Sequence, residues 1–348
     1  MTVASAPGKL VIVGDYAVLE GAPAIATTVG IRAKAQVTVT DARDSVFIDL
    51  AGGKAYNFSV EPGVGLCWAD ESPAERGMIL EVVINTCYEL LHLPGPLPAL
   101  RISMNTDAFF RSIGGSPVKL GVGSSAAALV ALIGALVAAL GIPVERPSLL
   151  SMCHVAHRRF QGGLGSGIDV SAALYGGVVG VTAGRGVSGP EAETLGWPKG
   201  LAMLPLWSGA SSSTPELLSR FARYRETKSD AFNNHMRHLT RFARQADATW
   251  RSESVVELMS ALAGFDDALR ALDSDAGIGI NTEAHERLRG LVERNGAVYK
   301  TSGAGGGDFG LAISDSTDVI DAVRADAIDS GYLSLDQKLG VDGLTIGG

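Results

Sequence analysis

The sequence predicts an α+β fold. Segments with strand character and segments with helical spacing are mixed in both halves of the chain, without the regular βαβ repeat of a doubly wound sheet. Residues 31–40 alternate apolar and polar side chains, as a half-buried strand does, whereas 124–140 is a long run of small and branched apolar residues that indicates a buried helix. The 44 glycines are clustered, which predicts loops and turns and excludes a periodic fibrous repeat.

The elements of the first half follow from hydrophobic periodicity and from helix-stopping residues. Short apolar runs rich in β-branched residues predict strands, and apolar positions three or four residues apart predict helices. The predicted strands are 9–13, 24–29, 31–40 and 178–182. The predicted helices are 78–91, 124–140, 149–160 and 168–174.

A section rich in glycine and proline, 184–200, is the predicted domain boundary. It divides the chain into an N-terminal domain, residues 1–190, and a C-terminal domain, residues 191–348. Beyond the boundary, the predicted strands are 201–206, 297–301 and 309–313. The predicted helices there are 215–225, 231–250, 254–272 and 284–293.

Composition and charge exclude several classes of function. The formal net charge is −8 and no basic run is present, so we expect no nucleic-acid partner and a locally built site for any anionic substrate. Three scattered cysteines, Cys67, Cys87 and Cys153, indicate neither a disulfide framework nor a metal pair, and they fit a reducing cytoplasm. No signal peptide or membrane span is predicted. We expect a cytoplasmic protein with a small-molecule substrate, and a homodimer is one open option for its oligomeric state.

A glycine- and serine-rich loop leads directly into the predicted helix at 124–140. Its residues are Lys119, Leu120, Gly121, Val122, Gly123, Ser124, Ser125 and Ala126. Backbone N–H groups at a helix N-terminus are unpaired and partly positive, and glycine lets the backbone approach a ligand closely, so the loop predicts a phosphate site. The spacing also fits a dinucleotide fingerprint, although Pro117 and Lys119 stand where that motif needs an apolar strand. A tight helix start without a ligand also stays open.

Lys9 and Asp169 are candidate catalytic residues. Lys9 follows a Pro-Gly pair at the start of an apolar strand, where a fixed ammonium group would suit a transferring phosphoryl group. Asp169 lies in the first helical turn after a glycine loop, where a carboxylate is stabilised and can orient a hydroxyl proton. An edge-strand lysine and an ordinary helix-start aspartate are the alternatives.

The segment 211–216 has the pattern of a helix N-terminus. Thr214 as the cap, with Pro215 at the first helical position, is one arrangement, and a capping box of Ser213 and Glu216 is another. Such an end offers hydroxyl and N–H groups to a phosphate or a carboxylate. Simple capping without a ligand is the alternative.

The remaining chemistry-bearing residues are less informative. A third glycine cluster, 303–307, either brings the backbone close to a ligand or forms a bulged turn. The six histidines show no metal-ligand spacing, and we interpret His154 and His157 as packing or polar-face residues. The cations without a predicted place are Arg101, Arg111, Arg158 and Arg185.

Three segments taken together resemble the motifs of a known superfamily. They are residues 7–9 with 14–20, the loop 121–127, and the cluster 302–308, and they span nearly the whole chain. In this order they resemble the motifs of the GHMP kinases, which include galactokinase, homoserine kinase, mevalonate kinase and phosphomevalonate kinase. Three spaced matches are far more specific than any single glycine loop.

The resemblance implies a ribosomal S5 domain 2-like N-terminal domain, a ferredoxin-like C-terminal domain and an active site in the cleft between them. It implies ATP and Mg²⁺, with Lys119 and 121–126 at the ATP phosphates and Ser124 or Ser125 at the metal. Lys9 would neutralise charge beside the acceptor, and Asp169 would orient or deprotonate it. The implied acceptor-site residues are Tyr16, Ser166, Gly167, Ser213, Thr214, Gly303, Ala304, Gly305 and Gly306.

Within the superfamily, the chain looks like the phosphomevalonate kinase branch. Tyr16 stands where mevalonate kinases and galactokinases usually carry histidine, and the segments 119–125, 165–176 and 208–214 also match that branch. Asp15 replaces the usual glutamate. The resemblance implies transfer of the γ-phosphoryl group of ATP to 5-phosphomevalonate. The alternatives are a mevalonate kinase or another GHMP small-molecule kinase, a non-catalytic binding protein of the same fold, and a dehydrogenase.

Overall fold

The computed structural model describes residues 1–347 except 51–52, 62, 92–96, 114, 164, 183 and 185–188. Helices and antiparallel strands are mixed in both halves, which confirms the predicted α+β class. Arg185 and part of the predicted domain boundary lie outside the described residues.

The larger sheet is built on two long antiparallel strands, β1 (Thr2–Val13) and β2 (Pro23–Thr40). The other strands of this sheet are β3 (Ser45–Asp49), β4 (Lys54–Glu61), β5 (Gly65–Trp68), β6 (Ala99–Asn105), β9 (Val178–Thr182), β10 (Glu191–Leu195) and β15 (Thr345–Gly347). Their order is β10-β9-β2-β6-β3-β4-β5, with β1 joined to β2 and β15 joined to β1. A separate hairpin consists of β7 (Phe110–Ile113) and β8 (Ser116–Lys119).

The central helix of the first half is α2 (Ser124–Ala139), which packs against β1 and β2. Nearly all of its residues are buried, because small and branched apolar side chains cover every face of the helix. It is flanked by α1 (Ala74–Leu90), α3 (Arg146–Phe160) and α4 (Ile168–Tyr175). The loop that precedes α2 is therefore fixed on a rigid, buried element.

The second sheet has the order β12-β13-β11-β14 and is antiparallel throughout. Its strands are β11 (Ala202–Trp207), β12 (Val298–Thr301), β13 (Phe309–Ser314) and β14 (Leu333–Ser334). The helices of this half are α5 (Thr214–Thr227), α6 (Ser229–Arg251), α7 (Val255–Ala276), α8 (Glu283–Arg294) and α9 (Thr317–Asp329). The turn between β12 and β13 contains the third glycine cluster.

The segment 338–347 returns to the larger sheet. The N–H of Gly340 donates to the carbonyl oxygen of Thr28 at 2.9 Å. The guanidinium group of Arg32 donates to the carbonyl oxygens of Asp342 and Gly343, each at 2.6 Å. β15 then pairs antiparallel with the start of β1.

Several predicted elements need correction. Residues 24–29 and 31–40 belong to one strand, β2, because the glycine between them keeps an extended backbone. Residues 17–20 form a short 3-10 helix. Strands β3 to β8, β10, β14 and β15 and helix α9 were not predicted. Among the helices of the described residues, none has the length and apolarity that a membrane crossing requires.

Candidate active site

The side chain of Lys9 reaches the carboxylate of Asp169. Lys9 Nζ lies 3.1 Å from Asp169 Oδ1, and the two side chains are 12% and 32% exposed. The backbone of Lys9 is fixed in β1, and its N–H donates to the carbonyl oxygen of Val122 at 2.9 Å. Asp169 lies in the first turn of α4, which begins after Gly167 in the left-handed conformation, φ 82°. The structure thus brings the two candidate catalytic residues into direct contact.

An open cleft surrounds this ion pair. Most of the residues implied to contact the acceptor line it: Tyr16, Ser166, Gly167, Thr214, Gly303 and Ala304. Apolar side chains of Val18, Leu19 and Leu218 complete part of the wall. The cleft therefore offers charge at the Lys9 end and apolar surface for a carbon skeleton.

Other residues implied for the acceptor site lie outside this cleft. A Cβ on Gly305 would meet Ile280, and a Cβ on Gly306 would lie 3.0 Å from Leu217. These two glycines allow close packing within the second half and are absent from the cleft wall, as is Ser213. Of the cluster 303–306, Gly303 and Ala304 line this cleft and Gly305 and Gly306 do not; the role of all four at the acceptor stays a prediction.

The start of α5 differs from both capping predictions. Ser213 occupies the N-cap position, α5 begins at Thr214, and the Ser213 side chain makes no capping hydrogen bond. The carbonyl oxygen of Ser213 instead accepts from the N–H of Glu216 at 3.1 Å. Thr214 lies in the first helical turn and lines the cleft.

The loop before α2 adopts the conformation that its glycines permit. Gly121 and Gly123 have φ of 72° and 81°, in the left-handed region. Gly123 is the N-cap of α2, with no side-chain cap hydrogen bond. A Cβ on Gly123 would lie 3.4 Å from Lys9 Cε, so the Lys9 side chain runs alongside the loop. The partly positive end of α2 and the Lys9 ammonium group are therefore neighbours.

A second pocket lies at the start of α2. Lys119, Ser124 and Ser125 line it together with residues of α1, β6 and β7. Lys119 Nζ lies 3.6 Å from Glu75 Oε1. The other lining residues are Arg76, Ile79, Met104, Thr106, Phe110 and Ala128. Val122 and Ala126 are buried and line neither pocket.

Asp308 is a half-buried anion beside the glycine loop, and no sequence signal pointed to a role for this residue. A Cβ on Gly121 would overlap the Asp308 carboxyl group. The hydroxyl and N–H groups of Ser212 donate to this carboxylate at 2.8 and 3.3 Å. Burial raises the pKa of Asp308, and the Ser212 hydrogen bonds oppose that rise. Asp308 thus joins three segments that are far apart in the sequence.

The third glycine cluster is tied to the end of β1 and the turn after it. Asp15 forms a fully buried ion pair with Lys300, and Asp15 Oδ1 accepts from the N–H of Gly303 at 2.7 Å. The hydroxyl of Tyr16 donates to the carbonyl oxygen of Ala304 at 2.7 Å. Burial raises the pKa of Tyr16, which keeps this donor protonated. The ring of Tyr16 lines the cleft, but its hydroxyl is occupied by the protein.

His157 also lines the cleft, contrary to its interpretation as a packing or polar-face residue. It lies on α3 and is 3% exposed. Burial lowers the pKa of His157, and the Asp169 carboxylate opposes this shift. Nothing in the sequence signalled that His157 belongs to the site. Its spacing of three residues from His154 matches no metal-ligand pattern, and α3 contains none of the three segments that resemble the GHMP motifs.

Comparison with known proteins agrees with this geometry. Residues 82–177 match the family described as GHMP kinases N terminal domain. A phosphomevalonate kinase from Streptomyces sp. (strain CL190) is 29% identical over 341 residues, covering 89% of each chain. A mevalonate kinase from Pyrococcus abyssi is 24% identical over 335 residues, covering 93% of this chain and 92% of the relative.

Solved structures show the same fold. A Lin0012 protein from Listeria innocua has a TM-score of 0.84 at 22% identity, covering 99% of both chains. A Streptococcus pneumoniae phosphomevalonate kinase in complex with phosphomevalonate and AMPPNP has a TM-score of 0.79 at 18% identity, covering 97% of this chain and all of the other. The chain is a phosphotransferase and is similar to the GHMP kinases. It resembles phosphomevalonate kinase.

The oxygen donors near the start of α2 can be compared with the needs of a metal ion. No group of three or more His, Cys, Asp or Glu side chains in the described ranges could hold a metal ion. Mg²⁺ in nucleotide enzymes needs few protein ligands, because phosphate oxygens and water supply the rest. The hydroxyls of Ser124 and Ser125 and the carboxylate of Glu75 share one pocket and are hard oxygen donors. They fit a magnesium ion that arrives with a nucleotide.

Proposed function

We propose that this protein transfers the γ-phosphoryl group of ATP to the phosphate group of 5-phosphomevalonate and forms the diphosphate. The observation that carries the proposal is the Lys9–Asp169 contact of 3.1 Å in a cleft beside a helix N-terminus. The similarity to phosphomevalonate kinases supports the choice of acceptor.

The nucleotide belongs in the second pocket, with its phosphates toward the start of α2. Lys119 supplies a cation, Ser124 and Ser125 supply hydroxyls, and Ile79 and Phe110 supply apolar surface for the base. Ser124, Ser125 and Glu75 would hold Mg²⁺. The ion would neutralise charge that develops on the phosphate oxygens.

The acceptor belongs in the cleft, and its phosphate group belongs beside Lys9. A phosphate monoester has a second pKa near 6, so its attacking oxygen is largely ionised at neutral pH and needs little help from a base. Charge neutralisation and alignment are then the main tasks of the protein. Lys9 neutralises the approaching phosphate groups, and Asp169 orients Lys9 and the acceptor.

The cleft belongs between the two domains, residues 1–190 and 191–348. Lys9 and Asp169 come from the first part of the chain, whereas Thr214 and Gly303 come from the second. A site made from both parts is complete only when they are correctly docked.

A coupled assay of ADP formation tests the proposal, with ATP, Mg²⁺ and either 5-phosphomevalonate or mevalonate. We expect kcat/KM to be about a hundred-fold or more higher with 5-phosphomevalonate. Turnover with mevalonate alone would contradict the proposed acceptor. No ADP formation with either acceptor or with sugars would instead favour a binding protein without catalysis. Binding of NADH in a fluorescence titration would support the dehydrogenase alternative.

Mevalonate kinase is the second candidate, and one observation favours keeping it. The Tyr16 hydroxyl is committed to the carbonyl oxygen of Ala304, so this residue does not read the acceptor through its hydroxyl. The presence of tyrosine at position 16, where mevalonate kinases usually have histidine, is therefore weaker evidence against a mevalonate acceptor than the motif comparison implies.

A further inference from the structure

His157 is a buried polar side chain at the candidate active site, and one of its ring nitrogens has no partner among the described residues. The residue is 3% exposed and lines the cleft that holds Lys9 and Asp169. Within the part of the chain that the structure describes, His157 Nε2 has no hydrogen-bond partner and is covered by neighbouring atoms, so the ring must shift for a ligand to reach it. A buried polar atom without a partner costs folding free energy, so a retained one indicates a partner that the chain itself does not supply.

The surroundings of His157 indicate what that partner is. Burial and the nearby Lys9 ammonium group lower the pKa of His157, while the Asp169 carboxylate raises it. The imidazole is therefore neutral at neutral pH and has one N–H group to donate. The ring lies near the two charged residues at the reacting end of the cleft, whereas apolar side chains such as Leu19 and Leu218 suit the carbon skeleton of a substrate.

We propose that His157 Nε2 donates a hydrogen bond to a phosphate oxygen of the acceptor and so selects a phosphorylated acceptor over the corresponding alcohol. The inference rests on the proposed function for the identity of the acceptor. A hydrogen bond to a charged oxygen is stronger than one to a neutral hydroxyl. An alcohol acceptor would also leave Nε2 unpaired, which adds to the discrimination.

Two substitutions separate hydrogen bonding from packing. His157→Phe fills similar space without a donor, whereas His157→Gln keeps an amide N–H near the position of Nε2. We expect KM for 5-phosphomevalonate to rise about ten-fold or more in His157→Phe and distinctly less in His157→Gln, with KM for ATP unchanged. The urea midpoint of ligand-free His157→Phe should equal or exceed that of the wild type, because no buried polar atom is left unpaired. His238→Phe, at an exposed position of α6, should keep wild-type values.

Other outcomes overturn the inference. Equal rises in KM for the Phe and Gln variants would assign His157 a packing role. An unchanged KM together with a lower urea midpoint would assign Nε2 to a structural water molecule. If the wild type converts only the alcohol, the proposed acceptor and the role of His157 fail together. If it converts the phosphorylated acceptor and both variants keep its KM, only the role of His157 fails.

Discussion

Lys9 is held in place by three separate segments before any ligand binds. Its ammonium group contacts Asp169, its methylene groups pack on Gly123, and a Cβ on Gly303 would lie 3.8 Å from its Nζ. The backbone of Lys9 is fixed in β1. A charge that is already positioned needs no reorganisation during the reaction, and such preorganisation is a large part of phosphoryl-transfer catalysis.

Lys9→Met should lower kcat by a factor on the order of 10² to 10³, because the charge is lost while the methylene packing is kept. KM for ATP and the urea midpoint should change little. Steady-state kinetics and urea unfolding measure both quantities. Lys34→Met, at an exposed position of β2, is the matched control. A wild-type kcat in Lys9→Met would remove Lys9 from the reaction.

Asp169→Asn should lower kcat by a similar order, because the amide keeps the shape of the side chain but not the charge that orients Lys9. If the two residues act as a unit, the double variant should be little slower than either single variant. The three kcat values form the test. Multiplicative losses would mean that Lys9 and Asp169 act independently.

At the scale of elements, β1 and the turn after it are fastened to the β12–β13 turn by a buried ion pair. Lys300 and Asp15 are essentially unexposed, and Lys300 also donates to the carbonyl oxygen of Thr301. Asp15 further accepts from the N–H of Gly303. This clamp sets the position of the glycine backbone that lines the cleft.

Asp15→Asn should lower the free energy of unfolding by about 3–5 kcal/mol, because it leaves the Lys300 ammonium group buried without a countercharge. The double variant Asp15→Asn, Lys300→Met should regain much of that loss. Urea denaturation measures both. Glu71→Gln, in the exposed Lys54–Glu71 pair, is the control and should cost at most ~1 kcal/mol. A loss in Asp15→Asn no larger than this control would show that the clamp is not stabilising.

The sequence predicted the local parts of the site and missed the parts that join distant segments. Gly121, Gly123 and the alanine-rich run that follows predict the loop and α2, because the conformation of glycine and the helix propensity of alanine depend only on the local sequence. The contact of Asp15 with Lys300 depends on how the two sheets dock, and the contact of Asp308 with Ser212 depends on the pairing of β11 with β13. No local pattern encodes either. The position of Gly305 outside the cleft has the same origin, since its neighbour Ile280 comes from the distant loop between α7 and α8.

For the whole molecule, buried histidines make stability depend on pH. His285 Nδ1 lies 2.7 Å from the Tyr299 hydroxyl, and His285 Nε2 lies 2.9 Å from the carbonyl oxygen of Gly307. A carbonyl oxygen only accepts, so Nε2 carries a proton, and the lowered pKa of His285 leaves Nδ1 free to accept from the Tyr299 hydroxyl at neutral pH. Burial lowers the pKa of His285 to about 4, and the pKa of His154 also to about 4.

The free energy of unfolding should fall as the pH is lowered from 6.5 toward 4. In that window the unfolded chain, with histidine pKa values near 6.5, takes up protons that the folded protein does not. His285 accounts for roughly 3 kcal/mol of this loss at pH 4. Urea unfolding at several pH values should show a slope that is smaller by about one proton in His285→Gln. An identical slope in that variant would mean that His285 does not remain neutral.

The α+β fold class was predictable because the long helices and strands show clear hydrophobic periodicity in the sequence. Strands β3 and β5 were missed because they have only five and four residues, whereas β4 was missed although residues 56–61 alternate apolar and polar side chains. The long β2 was divided in two because glycine usually marks a turn, whereas Gly30 lies inside the continuous strand, at a shift in its register against β1. Tertiary pairing overrode the local preference at that position.

The pairing of β15 with β1 has a consequence for biosynthesis. The side-chain hydroxyls of Ser5 and Thr345 lie 2.9 Å apart, yet 340 positions separate these residues in the chain. A ribosome releases the N-terminal strand long before the residues that complete its edge, so this edge of the larger sheet stays open during translation. Closing so long a loop is slow. The larger sheet, which contains the first strand to be synthesised, is therefore completed only after the segment around Thr345 has left the ribosomal tunnel.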